Sequence, residues 1–312
     1  MEYRKLAFTD LEVSRVGFGG WAIGGHGWGP VDDHDSAAAI RRALDRGINL
    51  FDTADVYGFG HSEEVLASAL GDERRHAVIA TKFGMTWDAR GRVSRDVSPA
   101  RVVEALEASL RRLRLDCIPL YQVHWPDGAT PVAATMEALR RCQEAGKIRW
   151  IGCCNFSTVL LREAWESGPV VSLQVPYNIL DRDIESTLLP DCRERGVGVL
   201  AYSSLAQGLF SGRYGPDATF EPDDVRSRSA YFRGPRVGDN LRIVRQVQTI
   251  GAAHGRTGVQ VAIRWILDNP GVTCALTGIK TAEQVEENAV TDWKLPPADR
   301  DLIDAMSRPD GR

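Results

Sequence analysis

Ile48-Asn49-Leu50-Phe51-Asp52-Thr53-Ala54-Asp55-Val56-Tyr57-Gly58 is the stretch on which both the fold and the chemistry turn. The apolar run Ile48 to Phe51 is too short for a helix and reads as a buried strand. It stops at a carboxylate, Asp52, and a phenol, Tyr57, follows five residues later. A strand ending this way sets an acid and a titratable hydroxyl at one rim. An aspartate at a strand end also serves as a turn or cap residue, so the weight of the reading rests on what the other strands do.

Outward from this stretch the chain alternates. Helical spacing of Ala39, Ile40, Ala43 and Leu44 predicts a helix from Asp35 to Arg46 before it, and Ser62-Glu63-Glu64 opens another after it. Apolar runs then recur: Val78 to Thr81 ending in Lys82, Ile118 to Val123 ending in His124, and Trp150 to Cys154 ending in Asn155. Val170 to Leu173 ends in Gln174, Val197 to Ala201 in Tyr202, and Val272 to Leu276 in Thr277-Gly278. Ser98-Pro99 and Thr130-Pro131 each place a capping residue before a proline at the first helical position. Near the N-terminus, Tyr3 to Leu6 and Leu11 to Ser14 predict a hairpin. Gly17-Phe18-Gly19-Gly20-Trp21-Ala22 fits a dinucleotide-binding fingerprint, but that fingerprint needs a helix to follow. Gly24, Gly25, Gly27, Gly29 and Pro30 cannot open one, so this segment reads as a strand and a loop carrying Trp21 and Trp28.

Eight strands with intervening helices and no linker predict an α/β chain folded as a (β/α)8 TIM barrel, one domain over residues 1–312. Between strands seven and eight, Ser203 to Arg236 is a long polar loop, followed by helical patterns over 239–254 and 257–268. Two readings of that loop stand, a lid or clamp over a site and a disordered insertion.

Charge excludes some functions. The chain carries 38 basic and 42 acidic residues, a net of −4, which gives no reason to expect nucleic acid or a membrane surface as partner. No apolar stretch reaches the roughly 18 residues of a membrane span, and the charged start Met1-Glu2-Tyr3-Arg4-Lys5 lacks a signal-peptide core. Six cysteines without CxxC spacing suit a reducing compartment. The expectation is a soluble cytoplasmic protein with no metal site.

In such a barrel the site lies at the C-terminal ends of the strands. Six consecutive strands end in Asp52, Lys82, His124, Asn155, Gln174 and Tyr202. Each alone is explicable as a cap, a solvated charge or a core histidine; all six at one rim point to an active site.

The residues at this rim also carry a resemblance. The Asn49–Gly58 stretch, Tyr121-Gln122-Val123-His124-Trp125-Pro126, Gly146–Gly152, Asn155-Phe156-Ser157, Gln174–Asn178, Ala201–Gly208 and Glu283–Asn288 are similar, in order, to the motifs of the aldo-keto reductase superfamily. The likeness runs from about residue 3 to 305 and is nearest the bacterial and potassium-channel β-subunit-like branch. It implies a tetrad of Asp52, Tyr57, Lys82 and His124 reducing a carbonyl, or oxidising the matching alcohol, with NADPH/NADP+. Tyr57 would be the proton donor, its pKa lowered by Lys82, which Asp52 holds charged; His124 would orient the carbonyl oxygen. The resemblance also implies Asn155 and Gln174 as carboxamide ligands and Tyr202 stacked on the nicotinamide. Ser203, Leu205, Gln207, Gly208, Ser211 and Arg213 would form the pyrophosphate loop. Lys280, just after Gly278, would meet the 2′-phosphate, and Gln284 and Asn288 the adenosine. Lys280 otherwise reads as a solvated charge.

Three positions depart from the family pattern: Cys154 where serine is usual, and Ser204 and Thr277 where proline is. A thiol is the weaker hydrogen-bonding group, so one carboxamide contact weakens. Trp21, Trp28, Trp87 and Trp125 lie on or beside rim loops, as walls for a small-molecule carbonyl or alcohol substrate or as ordinary packing. An alternative function of another class is a cofactor-binding, redox-sensing accessory subunit with slow turnover.

Overall fold

The computed structural model describes residues 1–6 and 8–308; positions 309–312 of the expected domain lie outside the described residues. The barrel strands are β1 (Val16–Gly19), β2 (Leu50–Asp52), β3 (Val78–Phe83), β4 (Ile118–Val123), β5 (Ile148–Cys154), β6 (Ser172–Pro176), β7 (Gly198–Tyr202) and β8 (Val272–Gly278). Each pairs in parallel with its sequence neighbours, and β8 pairs with β1 to close the ring. The helices between them are α1 (Asp33–Asp45), α2 (His61–Leu70), α3 (Pro99–Leu113), α4 (Val132–Glu144), α5 (Thr158–Ser167), α6 (Leu188–Arg195), α7 (Val237–Ala253) and α8 (Gly258–Leu267). After β8 come α9 (Ala282–Asn288) and α10 (Pro297–Ser307).

Strand alternation decides what reaches the lumen, because successive side chains point to opposite faces. Phe51, Ile79, Tyr121, Ile151, Leu173, Val199 and Ala275 belong to the apolar layer under the helices. The other parity faces inward: Leu50, Ala80, Leu120, Leu200, Cys274 and Leu276 form a second buried cluster. The N-terminal hairpin, Tyr3–Lys5 with Glu12–Ser14, plugs that cluster from below with Leu6, Leu11 and Val13. Two residues further along the same inward parity come Asp52, Lys82, Gln122 and Tyr202. The strands are thus apolar at the base of the lumen and polar at its mouth.

Helix starts follow from local chemistry. Asp32 caps α1 by accepting the His34 N–H, which starts the helix two residues before the apolar spacing does. Ser98 caps α3 with Pro99 at its first position, and Thr257 with Gln260 forms a capping box on α8. At α4 the expected cap is displaced. The Thr130 hydroxyl donates to Asp127 Oδ2 at 2.7 Å, and Pro131 itself stands at the cap position. Asp127 also collects the N–H groups of Ala129 and Thr130, so this turn takes the hydroxyl the helix would have used.

Strand β6 also differs from expectation. It runs Ser172–Pro176, so Gln174 sits inside it, because Val175 and Pro176 continue the ladder opposite Ala201 and Tyr202. After β1 the chain makes only a short 3-10 turn, Ala22–Gly24, and no α-helix begins before Asp33; the fingerprint there is a coincidence of glycines. A rim hairpin that the sequence reading missed, Met85–Trp87 with Val93–Arg95, follows β3.

The 203–236 loop is folded on itself. Tyr214, Phe220 and Phe232 cluster with ring centres 4.8–5.4 Å apart, and the Val225 N–H reaches Gly27 O at 2.9 Å. It therefore clasps the loop after β1, which is the clamp reading rather than the disordered one.

The turn carrying Tyr57 depends on one glycine. Gly58 has φ +61°, and a Cβ there would fall on the carbonyl oxygen of Gly24. Gly58→Ala should cost more than about 2 kcal/mol, through strain and a backbone clash together. Thermal or urea unfolding measures it; an unchanged midpoint would show that the two loops can part at little cost.

Candidate active site

Four of the six strand-end residues meet at the mouth of the lumen. Lys82 Nζ donates to Asp52 Oδ2 at 2.6 Å, to Thr53 O at 2.9 Å and to Tyr57 Oη at 3.1 Å. All three ammonium N–H groups are thereby used, with the Lys82 side chain wholly sealed from solvent. The second oxygen of Asp52 accepts Gln174 Nε2 at 2.6 Å. His124 sets its ring edge-on to Tyr57, 5.7 Å between centres. Trp21 lies nearly parallel to Tyr57, 5.8 Å between ring centres, and meets Trp28 edge-on at 5.2 Å.

Burial governs the protonation states. For Lys82, desolvation opposes the charge, but the Asp52 carboxylate and Tyr57 outweigh it and the pKa is raised. Tyr57 is pushed up to about 12, first by burial, with Lys82 pulling the other way and losing. This corrects the expectation of a lowered phenol: in the resting site Tyr57 holds its proton. His124 is held well below the usual imidazole range by burial, then by Lys82 and Arg95, so it is neutral near pH 7. The Cys154 thiol, buried on β5, is raised well above its ordinary value by the same desolvation.

Behind Tyr57 lies a second buried charge group. Arg112 Nε donates to Glu63 Oε2 at 2.6 Å and Thr81 Oγ1 to Glu63 Oε1 at 2.6 Å. Arg101 Nη2 reaches Asp55 Oδ2 at 3.3 Å and Met85 O at 3.4 Å, tying the turn to the rim hairpin.

The groups assigned to a cofactor line the next arc of the rim. Asn155, in left-handed backbone at φ +59°, donates Nδ2 to His124 O at 3.0 Å and accepts the Tyr202 hydroxyl at 2.9 Å. Asn155 and Gln174 thus position His124 and Asp52, a part the sequence reading did not give them. Ser203 and Gln207 also have positive φ, which coils the chain after β7 into successive tight turns; Leu205 O accepts the Gly208 N–H. Ser211 Oγ donates to Gly208 O and accepts the Arg213 N–H, with Arg213 in solvent. Gly278 is exposed at the end of β8. Gln284 Oε1 accepts the N–H groups of Lys280 and Thr281, spending that oxygen on the cap of α9. Lys280 Nζ donates to Trp28 O at 2.6 Å and Pro30 O at 3.3 Å, spanning from β8 to the loop after β1. Beside it Arg226 pairs with Asp224 at 2.6 Å and stacks 5.5 Å over Trp28.

A dinucleotide fits this arc by its donor set. Gln207 Oε1, an acceptor, and Asn288 Nδ2, a donor, are buried polar atoms without a partner among the described residues. Lys280 and Arg226 set two cations against the single carboxylate of Asp224, an excess suited to phosphate. Arg226 and Asp224 were missed because they sit in a loop with no periodicity to mark them. Of the tryptophans, Trp21 adjoins Tyr57, Trp28 packs on Trp21, and Trp125 follows His124 directly. Trp87 packs on Phe59 at 5.5 Å, on the rim hairpin.

Asp55 provides a pH test of this buried layer. Its carboxyl is pushed up to about 7 by burial and by Glu63, with Arg101 and Arg112 opposing. The folded chain therefore binds this proton more tightly than the unfolded one, and the contribution of Asp55 to stability falls as pH rises from about 4 to about 7, then levels. Asp55→Asn should flatten that fall by on the order of 2 kcal/mol. Urea unfolding of both proteins at pH 5, 6, 7 and 8 measures it, and parallel curves would refute the assignment.

Residues 15–308 match the family described as Aldo/keto reductase family. The chain is 40% identical over 310 residues to aldo-keto reductase YhdN of Bacillus subtilis strain 168, covering 98% of this chain and 93% of that protein. It is 36% identical over 318 residues to the NADH-specific methylglyoxal reductase of Escherichia coli K12, covering 97% of each. Among solved structures, a glycerol dehydrogenase from Gluconobacter oxydans superposes with a TM-score of 0.91 at 37% identity, covering 99% of this chain and 97% of that one. The holo form of an aldo-keto reductase from Bacillus halodurans gives 0.83 at 28% identity, covering 99% and 97%.

Proposed function

The chain belongs to the aldo/keto reductase family, and from that premise we propose that it reduces a small aldehyde or ketone with NADPH, Tyr57 giving the proton. The observation that carries this is the sealed Lys82 ammonium, 3.1 Å from the Tyr57 oxygen and neutralised by Asp52.

A carbonyl that accepts hydride develops alkoxide charge and needs a proton donor and a positive field. Tyr57 holds its proton at neutral pH because burial outweighs Lys82. Once that proton leaves, the phenolate faces the Lys82 ammonium directly, so the same contact that fails to ionise the resting phenol stabilises it after transfer. Neutral His124 can donate one ring N–H to the carbonyl oxygen. A resting site with the proton on Tyr57 favours reduction at neutral pH; oxidation of an alcohol needs Tyr57 ionised and gains with rising pH.

The hydride would come from a bound nicotinamide dinucleotide. Asn155, Gln174 and Tyr202 would frame its ring, the 203–213 turns its pyrophosphate, and Asn288 and Gln284 its adenosine. Lys280, with Arg226 beside it, supports a preference for the 2′-phosphate of NADPH. The Escherichia coli relative is named NADH-specific, so the choice turns on residues particular to each chain.

Tyr57→Phe should lower carbonyl reduction by about 10²–10⁴-fold or more while cofactor affinity stays within a few-fold. Turnover of a small aldehyde, with cofactor binding followed by fluorescence, checks both; near-normal turnover would remove Tyr57 from the role.

Lys280→Met should weaken NADPH by about tenfold, toward the low end of a charge-assisted bond, because Lys280 gives up the Trp28 carbonyl to reach a phosphate. NADH should change little. Dissociation constants for both cofactors at one ionic strength decide it, and an equal loss for both, or a wild-type preference for NADH, sinks the proposal.

A further inference from the structure

The rim hairpin carries a cation that the reaction above does not use. Arg95 ends the second hairpin strand, opposite Met85 and just past the mouth of β3. Its guanidinium carbon lies 4.6 Å from the centre of the Trp125 ring, and Nη1 is 3.5 Å from Pro126 O. Trp125 directly follows His124 in the chain. Arg95 is also one of the charges acting on the His124 imidazole, after burial and Lys82. Stacked on Trp125, the guanidinium is held to the loop that begins at His124, the residue that is to meet the carbonyl oxygen.

Arg95 is exposed, and the carboxylates nearest in sequence are engaged elsewhere. Asp88 pairs with Arg92, Asp96 accepts the Ser98 N–H, and Asp127 accepts the N–H groups of Val97, Ala129 and Thr130. Among the described residues Arg95 stacks on an aromatic face and forms no ion pair. A guanidinium laid against an indole is held in place, and its fork of N–H donors matches a carboxylate. Trp21, stacked on Tyr57, and Trp28 against it offer apolar walls for a carbon chain.

We infer that Arg95 selects carbonyl substrates bearing a carboxylate a few atoms from the reacting carbon, the anion docking on the guanidinium beside Trp125 while the carbonyl oxygen faces Tyr57 and His124. This rests on the carbonyl-reduction reading and narrows it to oxo acids and aldehyde acids.

The test compares succinic semialdehyde with its methyl ester, which has the same carbonyl and no charge. Wild type should prefer the acid by about 5–30-fold in kcat/KM at low ionic strength, and added salt should shrink that ratio. Arg95→Met should bring the ratio to about one. Arg95→Lys should keep only part of it, since an ammonium neither forks nor stacks in the same way. A wild-type ratio near one, or a preference that survives Arg95→Met, overturns the inference and leaves carbonyl reduction standing. Turnover of neither aldehyde with either cofactor overturns the carbonyl reading and this inference with it. The salt series on wild type needs no variant, so a poorly folding substitution does not remove the test.

Discussion

The ion pair of Asp52 and Lys82 inside the lumen is the constraint on which the site depends. An unpaired charge there would cost several kcal/mol in desolvation. The chain meets that cost by pairing the charges and satisfying every remaining polar position: three acceptors for the ammonium, and Gln174 for the second carboxylate oxygen. Neither side chain has freedom left, which fixes the Tyr57 oxygen relative to the ammonium. The arrangement exists only in a closed ring, since Gln174 lies 122 residues from Asp52 and reaches it across the lumen from β6.

Around this rigid centre the rim is assembled by loops that hold one another. The clamp after β7 hydrogen-bonds the loop after β1 through Val225 and Gly27, and Lys280 after β8 binds the same loop at Trp28 and Pro30. Arg226 stacks on Trp28 from the clamp side. The opposite wall is the hairpin after β3, tied down through Arg101 to Asp55. Asp52 and Lys82 therefore sit on strands, with Tyr57 on the turn after β2 and His124 directly after β4, while the rest of the rim is built from loops, as expected where one barrel serves many chemistries.

Much of this was legible before any coordinates. The alternation of short apolar runs with helical spacing marks eight strands and the barrel, and the polar residues that end six of the runs mark the rim of the candidate site. Gly24, Gly25, Gly27, Gly29 and Pro30 were enough to reject a nucleotide-binding helix after β1. Less legible was whatever depends on a competing partner. Thr130 looks like a helix cap until Asp127 is seen to take its hydroxyl. Asn155 and Gln174 read as cofactor ligands alone, and nothing local shows that their amides also hold the His124 carbonyl and Asp52. The rim hairpin was missed because its strands are three residues each, too short for periodicity to register.

The sequence by itself determined the order of strands and helices and which residues lie at the strand ends, because side-chain periodicity is a local property of the backbone. Only the tertiary structure decided the sign of the Tyr57 shift. A lysine beside a phenol lowers its pKa in water, but here both are sealed in the lumen and desolvation of the phenolate wins. That balance depends on depth and closure, which are set by all eight strands together. The same holds for Arg95, an ordinary surface arginine in the sequence, which the ring places on Trp125 at the mouth of the site.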